Sequence, residues 1–169
     1  LPFGFPMVVI RIPDPHPRSG DDPGYIMEGD PEGNMMKGTA TSVDYSLMRR
    51  ALIRDYYVGR VSRWDVCDAH PEISRIARNV GESTRTLCPI CRQENLRLLY
   101  FVFGDELEQD NGRVFPTHVI FHSLRSKYSR FTCHVVEVCI SCQWNYLIRS
   151  IHFVNGGGGD EATEKGGRN

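Results

Sequence analysis

Two short cysteine hooks, Cys88-Pro89-Ile90-Cys91 and Cys139-Ile140-Ser141-Cys142, constrain this chain more than any other feature. A C-x-x-C turn aims two sulfurs at one point, and two such turns facing each other supply the four ligands of a closed tetrahedral site, with each sulfur about 2.3 Å from the ion. Each hook lies beside apolar, β-branched runs: Leu96 to Phe103 after the first, Phe131 to Val138 before the second and Trp144 to Val154 after it. These runs read as strands. The order hook, strand, insertion, strand, hook, strand is that of a zinc ribbon with a long insertion, 104–130, between its strands. The predicted ligand set is Cys88, Cys91, Cys139 and Cys142, and the predicted cofactor is structural Zn²⁺.

Other chemistries compete for the same sulfurs. A thioredoxin-like redox pair needs one C-x-x-C at a helix start, where the dipole lowers the nucleophile's pKa. Here the residues after Cys142 read as strand, and a second hook would be left unexplained. Iron–sulfur ligation by the same four thiols stays open. Disulfides are disfavoured because the opening Leu1 to Pro13 lacks the charged leader and apolar core of a secretory signal. No run approaches the ~20 apolar residues of a membrane span. The expected compartment is the reducing cytoplasm, where paired cysteines more often hold metal.

Of 169 residues, 40% are hydrophobic and 24% charged, enough for one modest core, with a net charge of −1. Most of the ten prolines fall within 1–38, together with Asp21, Asp22, Glu28, Asp30 and Glu32. Such a segment buries too little apolar surface to offset its ordering entropy, so 1–41 is expected to be a disordered leader. Met7, Met27, Met35 and Met36 make a mistaken start the alternative account of it. Residues 155–169, with Gly156 to Gly159, read as a flexible tail.

Between leader and ribbon, 42–82 reads as a helical cap packed with 83–154 as one domain. Ser42 or Asp44 is expected to cap a helix reaching Val58, with Tyr45, Met48, Leu52 and Tyr56 on one face and Gly59 as its stop. Ser62 and Asp65 form a capping-box pattern for a short second helix. Pro71 suits the first turn of a third, running to about Asn79 before Gly81, with Ile73, Ile76, Ala77 and Val80 inward. In the insertion, Asn111-Gly112 signals a turn and 116–128 a helix.

Cys67 and Cys133 are left over. Cys67 is expected to be a buried thiol beside a capping His70, and Cys133 and His134 must point to opposite faces of a strand. His118 and His122 can share a helix face but have no third ligand partner in sequence. There is no G-x-S-x-G, H-E-x-x-H or phosphate-cradling glycine loop, so no enzymatic activity is expected. Arg85, Arg92 and Arg97 flank the first hook and are expected to offset the negative charge of four thiolates on one divalent ion. Trp144, Tyr146, Tyr100 and Phe131 are expected in the core, with base stacking as the rival role.

Cys67-Asp68-Ala69-His70-Pro71-Glu72, Arg78-Asn79-Val80-Gly81, the first hook, Val135-Val136-Glu137-Val138-Cys139 and Cys142-Gln143-Trp144-Asn145 together resemble a small actinobacterial family of unknown function. The resemblance runs from about Val43 to Phe153. It implies a helical segment followed by a zinc-ribbon-like part, and it brings no catalytic residues. The chain differs from better-known ribbons in carrying Arg92 and Gln143 where a glycine commonly follows the second cysteine of a hook.

The fold class expected is therefore α+β: a short helical cap on a zinc-stapled antiparallel sheet. The function expected is a non-enzymatic interaction module, an accessory factor docking on RNA polymerase, the ribosome or other nucleic-acid machinery. A protein–protein adaptor and a thiol redox sensor are the alternatives. A protein partner is expected to supply most of the specificity, with Arg49, Arg50, Arg54, Arg75 and Arg78 as the surface that meets it or a nucleic acid. The central charge is too small for strong nucleic-acid binding alone.

Overall fold

The structure is a computed structural model that describes residues 38–155. The expectations for 1–37 and 156–169 fall outside the described residues. The chain runs β1 (Thr39–Asp44), α1 (Ser46–Tyr57), α2 (Arg63–Val66), α3 (Pro71–Val80), β2 (Glu82–Leu87), β3 (Asn95–Phe103), a 3-10 turn (Asp105–Asp110), α4 (Thr117–Val119), a π-helical turn (Ile120–Leu124), α5 (Arg125–Lys127), β4 (Arg130–Val138) and β5 (Asn145–Val154). The fold is mixed α+β. Its strands form one antiparallel sheet in the order β1-β5-β4-β3-β2.

The three apolar runs are the central strands β3, β4 and β5. The outer two strands correct the sequence reading. Thr39–Asp44 pairs with β5, Thr39 opposite Val154 and Asp44 opposite Arg149, so the end of the expected leader and the expected helix cap are strand. Residues 82–87, where the helical segment was expected to end at 82 and no strand was expected before the first hook, pair with β3. Both edges are mostly exposed and polar. An edge strand needs no buried stripe on either face, so it leaves no alternating pattern to read.

Helix α1 consequently starts at Ser46, not at Ser42 or Asp44. Asp44 still serves its N-terminus from one residue further out, its Oδ1 accepting the Ser46 N–H at 2.7 Å. Beyond the last turn Gly59 takes φ 76°, the left-handed turn expected of it. The Ser62 box forms with Asp65, whose carboxylate accepts from the Ser62 N–H at 2.7 Å and its hydroxyl at 2.6 Å. Pro71 opens α3, and His70 caps it by accepting the Glu72 N–H at Nδ1, 3.2 Å away. Val80, expected inside, is 52% exposed because the helix ends there as the chain turns into β2.

The sheet buries both faces. On one, α3 lays Ile73 and Ala77 over Leu99, Phe101, Val136, Val138 and Leu147. On the other, Tyr45, Leu52, Ile53 and Tyr56 of the α1 region pack around Leu96, Trp144 and Tyr146. Farther along that same face the insertion places Leu107, Ile120 and Leu124 on Val102, Phe131, Cys133 and Phe153. The insertion is thus part of the core. Trp144, Tyr146 and Phe131 are buried in it, as expected, and are not available to stack bases.

Candidate metal centre

Each hook is the tip of a hairpin. Cys88–Cys91 joins β2 to β3, and Cys139–Cys142 joins β4 to β5. Because β3 and β4 are antiparallel neighbours, with Arg97 opposite Val138, the start of one lies beside the end of the other, and the two tips meet at the same end of the sheet. The insertion connects the strands at the far end. Its length therefore does not disturb the sulfurs, which explains how the hooks can be so distant in sequence and still face each other.

The two tips have matching hydrogen bonds. Cys88 N–H donates to the Glu94 carbonyl at 2.8 Å and Cys139 N–H to that of Trp144 at 2.9 Å. Arg92 N–H closes on the Cys88 carbonyl and Gln143 N–H on the Cys139 carbonyl, both at 3.1 Å. The Cys88 sulfur also accepts the Ile90 N–H at 3.4 Å, and the backbone N–H groups of each hook lie where they favour charge on its first sulfur, Cys88 in one and Cys139 in the other. Turned donors of this kind favour a sulfur that carries negative charge.

The residue after each second cysteine is left-handed, Arg92 at φ 55° and Gln143 at φ 68°. These are the two positions where ribbons commonly carry glycine. The backbone takes the glycine conformation without glycine, at about 1–2 kcal/mol for each residue. Gln143→Gly is accordingly expected to raise the unfolding free energy by about 0.5–1 kcal/mol, the relief of strain less the added entropy of the unfolded chain. Thermal unfolding measures this, and a fall in midpoint would show that the side chain contributes more than the strain removes.

The four sulfurs of Cys88, Cys91, Cys139 and Cys142 lie within 4.8 Å of one another. Cys88 Sγ and Cys142 Sγ are 3.6 Å apart, as are Cys91 Sγ and Cys139 Sγ. Sulfurs placed tetrahedrally about 2.3 Å from one ion are separated by about 3.8 Å, so the cluster fits a metal ion. Its electrostatics fit as well. The Cys142 contact and burial push the Cys88 thiol well up, and burial pushes up Cys139. Cys88 and Cys139 therefore resist ionising alone, and a divalent cation held among the four sulfurs would supply the positive charge that favours their thiolates.

Two further sets of residues complete the site. Cys67 Sγ lies 3.5 Å from Cys142 Sγ. The segment carrying Cys67 is fastened to the second hook by the Ala69 N–H to the Gln143 carbonyl at 3.0 Å and by Asn145 Nδ2 to Asp68 Oδ1 at 3.0 Å. Cys67 is buried, as expected, but its place beside the cluster is a contact that its position in the sequence does not reveal. Beside β4's end, Glu137 is buried and accepts from Arg49 Nε at 2.5 Å and Trp144 Nε1 at 2.8 Å, tying α1 to the second hook's hairpin. A lone carboxylate in an apolar run is the signal that could have found it.

The arginines divide. Arg49 is committed to Glu137, Arg75 is paired with Glu72 on its own helix, and Arg78 Nη2 donates to the Ile140 carbonyl at 3.3 Å. Arg50 and Arg54 are exposed on α1. Of the group expected to offset the thiolates, Arg97 donates to the Gly81 carbonyl and Arg92 to the Tyr57 hydroxyl. The guanidinium that acts on a sulfur here is instead that of Arg63, whose positive charge favours the Cys67 thiolate against the burial that opposes it. Cys133 is buried on the insertion side of the sheet, where burial alone pushes its thiol up to about 12, and His134 faces the other way against Phe103.

The model of a family of unknown function, DUF5318, matches residues 36–168. The uncharacterized proteins Rv0049 of Mycobacterium tuberculosis (strain ATCC 25618 / H37Rv) and Mb0050 of Mycobacterium bovis are each 42% identical over 108 residues, covering 64% of this chain and 78% of their own length. No solved structure matches the chain. Among the described residues no helix is long and apolar enough to cross a membrane.

Proposed function

Given that the chain belongs to DUF5318, a family of unknown function, we propose from its own geometry that it is a non-enzymatic interaction module whose two hairpin tips are stapled by one zinc ion. The cluster of four hook sulfurs carries this reading. Four thiolates leave no open position for a water or a substrate, so such an ion holds structure and does not activate a reactant. Zinc suits a tetrahedral all-sulfur shell, and the six described cysteines, none in a disulfide, suit a reducing cytoplasm.

A module of this kind acts through its surface. On α1 the residues Leu47, Arg50 and Arg54, continued by Val58, follow helical spacing along one outward stripe; Leu47 is 74% and Val58 61% exposed, with Tyr57 alongside. Apolar side chains flanking a pair of guanidinium groups are the composition of a protein-binding stripe that meets an acidic, partly apolar partner. The partner we propose belongs to nucleic-acid machinery such as RNA polymerase or the ribosome, with direct phosphate contact by Arg50 and Arg54 as a secondary term.

Charge reversal at Arg50 and Arg54 to Glu is expected to abolish the association while metal content and thermal midpoint stay unchanged. Co-purification from native lysate, with and without nuclease, reads the result. Association that survives nuclease and is lost in the variant supports the stripe. Partners unrelated to transcription or translation would leave the plain adaptor in place of the machinery reading, and association unchanged by the reversal would remove the stripe itself.

A further inference from the structure

The fifth thiol near the hooks is the feature that a purely structural metal site does not need. Cys67 Sγ is 3.5 Å from Cys142 Sγ, yet Cys67 lies outside the group of four sulfurs that are mutually within 4.8 Å. Its position is built, not incidental: the capping box at Ser62 and Asp65 sets α2, and the bonds of Ala69 and Asp68 to the second hook fix the chain just beyond Cys67. A cavity of about 350 Å³ opens beside the pair, lined by Arg63, Trp64, Cys67, Ser141, Cys142 and Gln143. Both residues of the close pair line it.

Resting on the zinc reading above, the geometry points to Cys67 as an oxidation site for a hydroperoxide, which enters this cavity and links Cys67 to Cys142 with release of the metal. With the ion in place the four hook sulfurs would be bonded to it, which leaves Cys67 as the uncoordinated thiol among the residues that line the cavity. Its sulfur attacks one peroxide oxygen, the O–O bond breaks, and the thiol proton leaves with the departing oxygen as water, giving a sulfenic acid. The Cys142 thiolate then attacks that sulfur, forming the S–S bond and expelling hydroxide. For hydrogen peroxide the balance is one thiol, one thiolate and H₂O₂ giving a disulfide, water and hydroxide; the two sulfurs are oxidised and both peroxide oxygens reduced.

The motion needed is small, since a disulfide of about 2.05 Å asks the two sulfurs to close by about 1.5 Å. Arg63 places a guanidinium at the cavity wall, where it can donate to the departing oxygen. Cys142 is the resolving partner because its sulfur lies 3.5 Å from that of Cys67 and it is the hook cysteine among the residues lining the cavity, which do not include Cys88, Cys91 or Cys139. Once Cys142 is in a disulfide, three sulfurs remain and the closed shell is open.

The test uses the full chain, purified reduced and with its metal. Metal content is measured first; hydrogen peroxide is then added, release is followed with a chromogenic chelator, and linked peptides are mapped by mass spectrometry without reduction. One equivalent of metal is expected to leave, with Cys67 joined to Cys142, and a thiol reductant with added zinc is expected to restore the starting state. Cys67→Ala and Cys67→Ser, two replacements in case one folds poorly, are expected to hold metal normally when reduced and to lose it at least tenfold more slowly in peroxide. A reduced wild-type chain without metal would sink the zinc reading before peroxide is added, and this inference with it. A metal-bearing chain that releases its ion equally fast without Cys67, or whose disulfides join only hook cysteines, would overturn this inference alone. Loss of metal from both reduced Cys67 variants would also overturn it, by making Cys67 a ligand.

Discussion

Cys139→Ser is expected to yield no folded, metal-bearing protein. Cys139 is fully buried at the start of the second tip, its sulfur 3.6 Å from that of Cys91. Removing it opens the four-sulfur shell. Binding of structural zinc contributes an apparent ~10–16 kcal/mol in small zinc peptides near neutral pH, as much as the whole stability of a typical domain, about 5–15 kcal/mol. A substantial part of that loss therefore exceeds what the rest of the fold can absorb. The expected outcome is loss of the cooperative thermal transition and of bound metal together, read by circular dichroism and elemental analysis. Cys133→Ala is the control, since Cys133 sits in the separate core under the insertion. Its removal is expected to cost about 1 kcal/mol as a small cavity and to leave one metal per chain. A Cys139→Ser protein as stable as the parent would mean that the cluster carries no folding energy.

The second large effect is expected at Arg49. Its guanidinium and the Trp144 indole are both held by one oxygen of Glu137, whose side chain is 6% exposed while that of Arg49 is 20% exposed. Arg49→Ala leaves a buried carboxylate without its cation and is expected to destabilise by about 3–5 kcal/mol. Glu137→Gln is expected to cost less, about 1–2 kcal/mol, because the remaining guanidinium is partly in water and the amide oxygen still accepts from the indole. The double replacement Arg49→Met with Glu137→Gln is expected to recover most of the loss, since no unpaired charge remains buried. Denaturant unfolding of the three variants measures the differences. Equal, small effects from both single changes would show that the pair is a surface contact in solution and not the tie between α1 and the hairpin.

Much of the fold could be read from residues whose pattern follows directly from burial. Leu96 to Phe103, Phe131 to Val138 and Trp144 to Val154 are apolar on both faces because helices cover both sides of the sheet. Ser62 with Asp65, and Pro71 with Gly81, punctuate the helices by backbone chemistry that is local and therefore visible in sequence. Residues 39–44 and 82–87 were not legible as strands, because hydrogen bonding to a neighbour, not burial, makes them so. The hooks were legible as a pair, since a C-x-x-C turn fixes its own two sulfurs. That they face each other follows from the pairing of β3 with β4, and no residue of either hook encodes it. Cys67 at the cluster and Glu137 beneath Arg49 depend on tertiary contacts across 75 and 88 residues, which sequence spacing does not report.

One zinc ion bound to four sulfurs is proposed to close the two hairpin tips. X-ray absorption at the zinc edge, on protein purified without chelator or added metal and with its metal content counted, tests this most directly. The expected result is one zinc per chain with four sulfur neighbours at about 2.3 Å and no nitrogen or oxygen in the shell. Folded protein that contains no zinc, an iron–sulfur absorption spectrum, or a zinc shell with fewer than four sulfurs would contradict it.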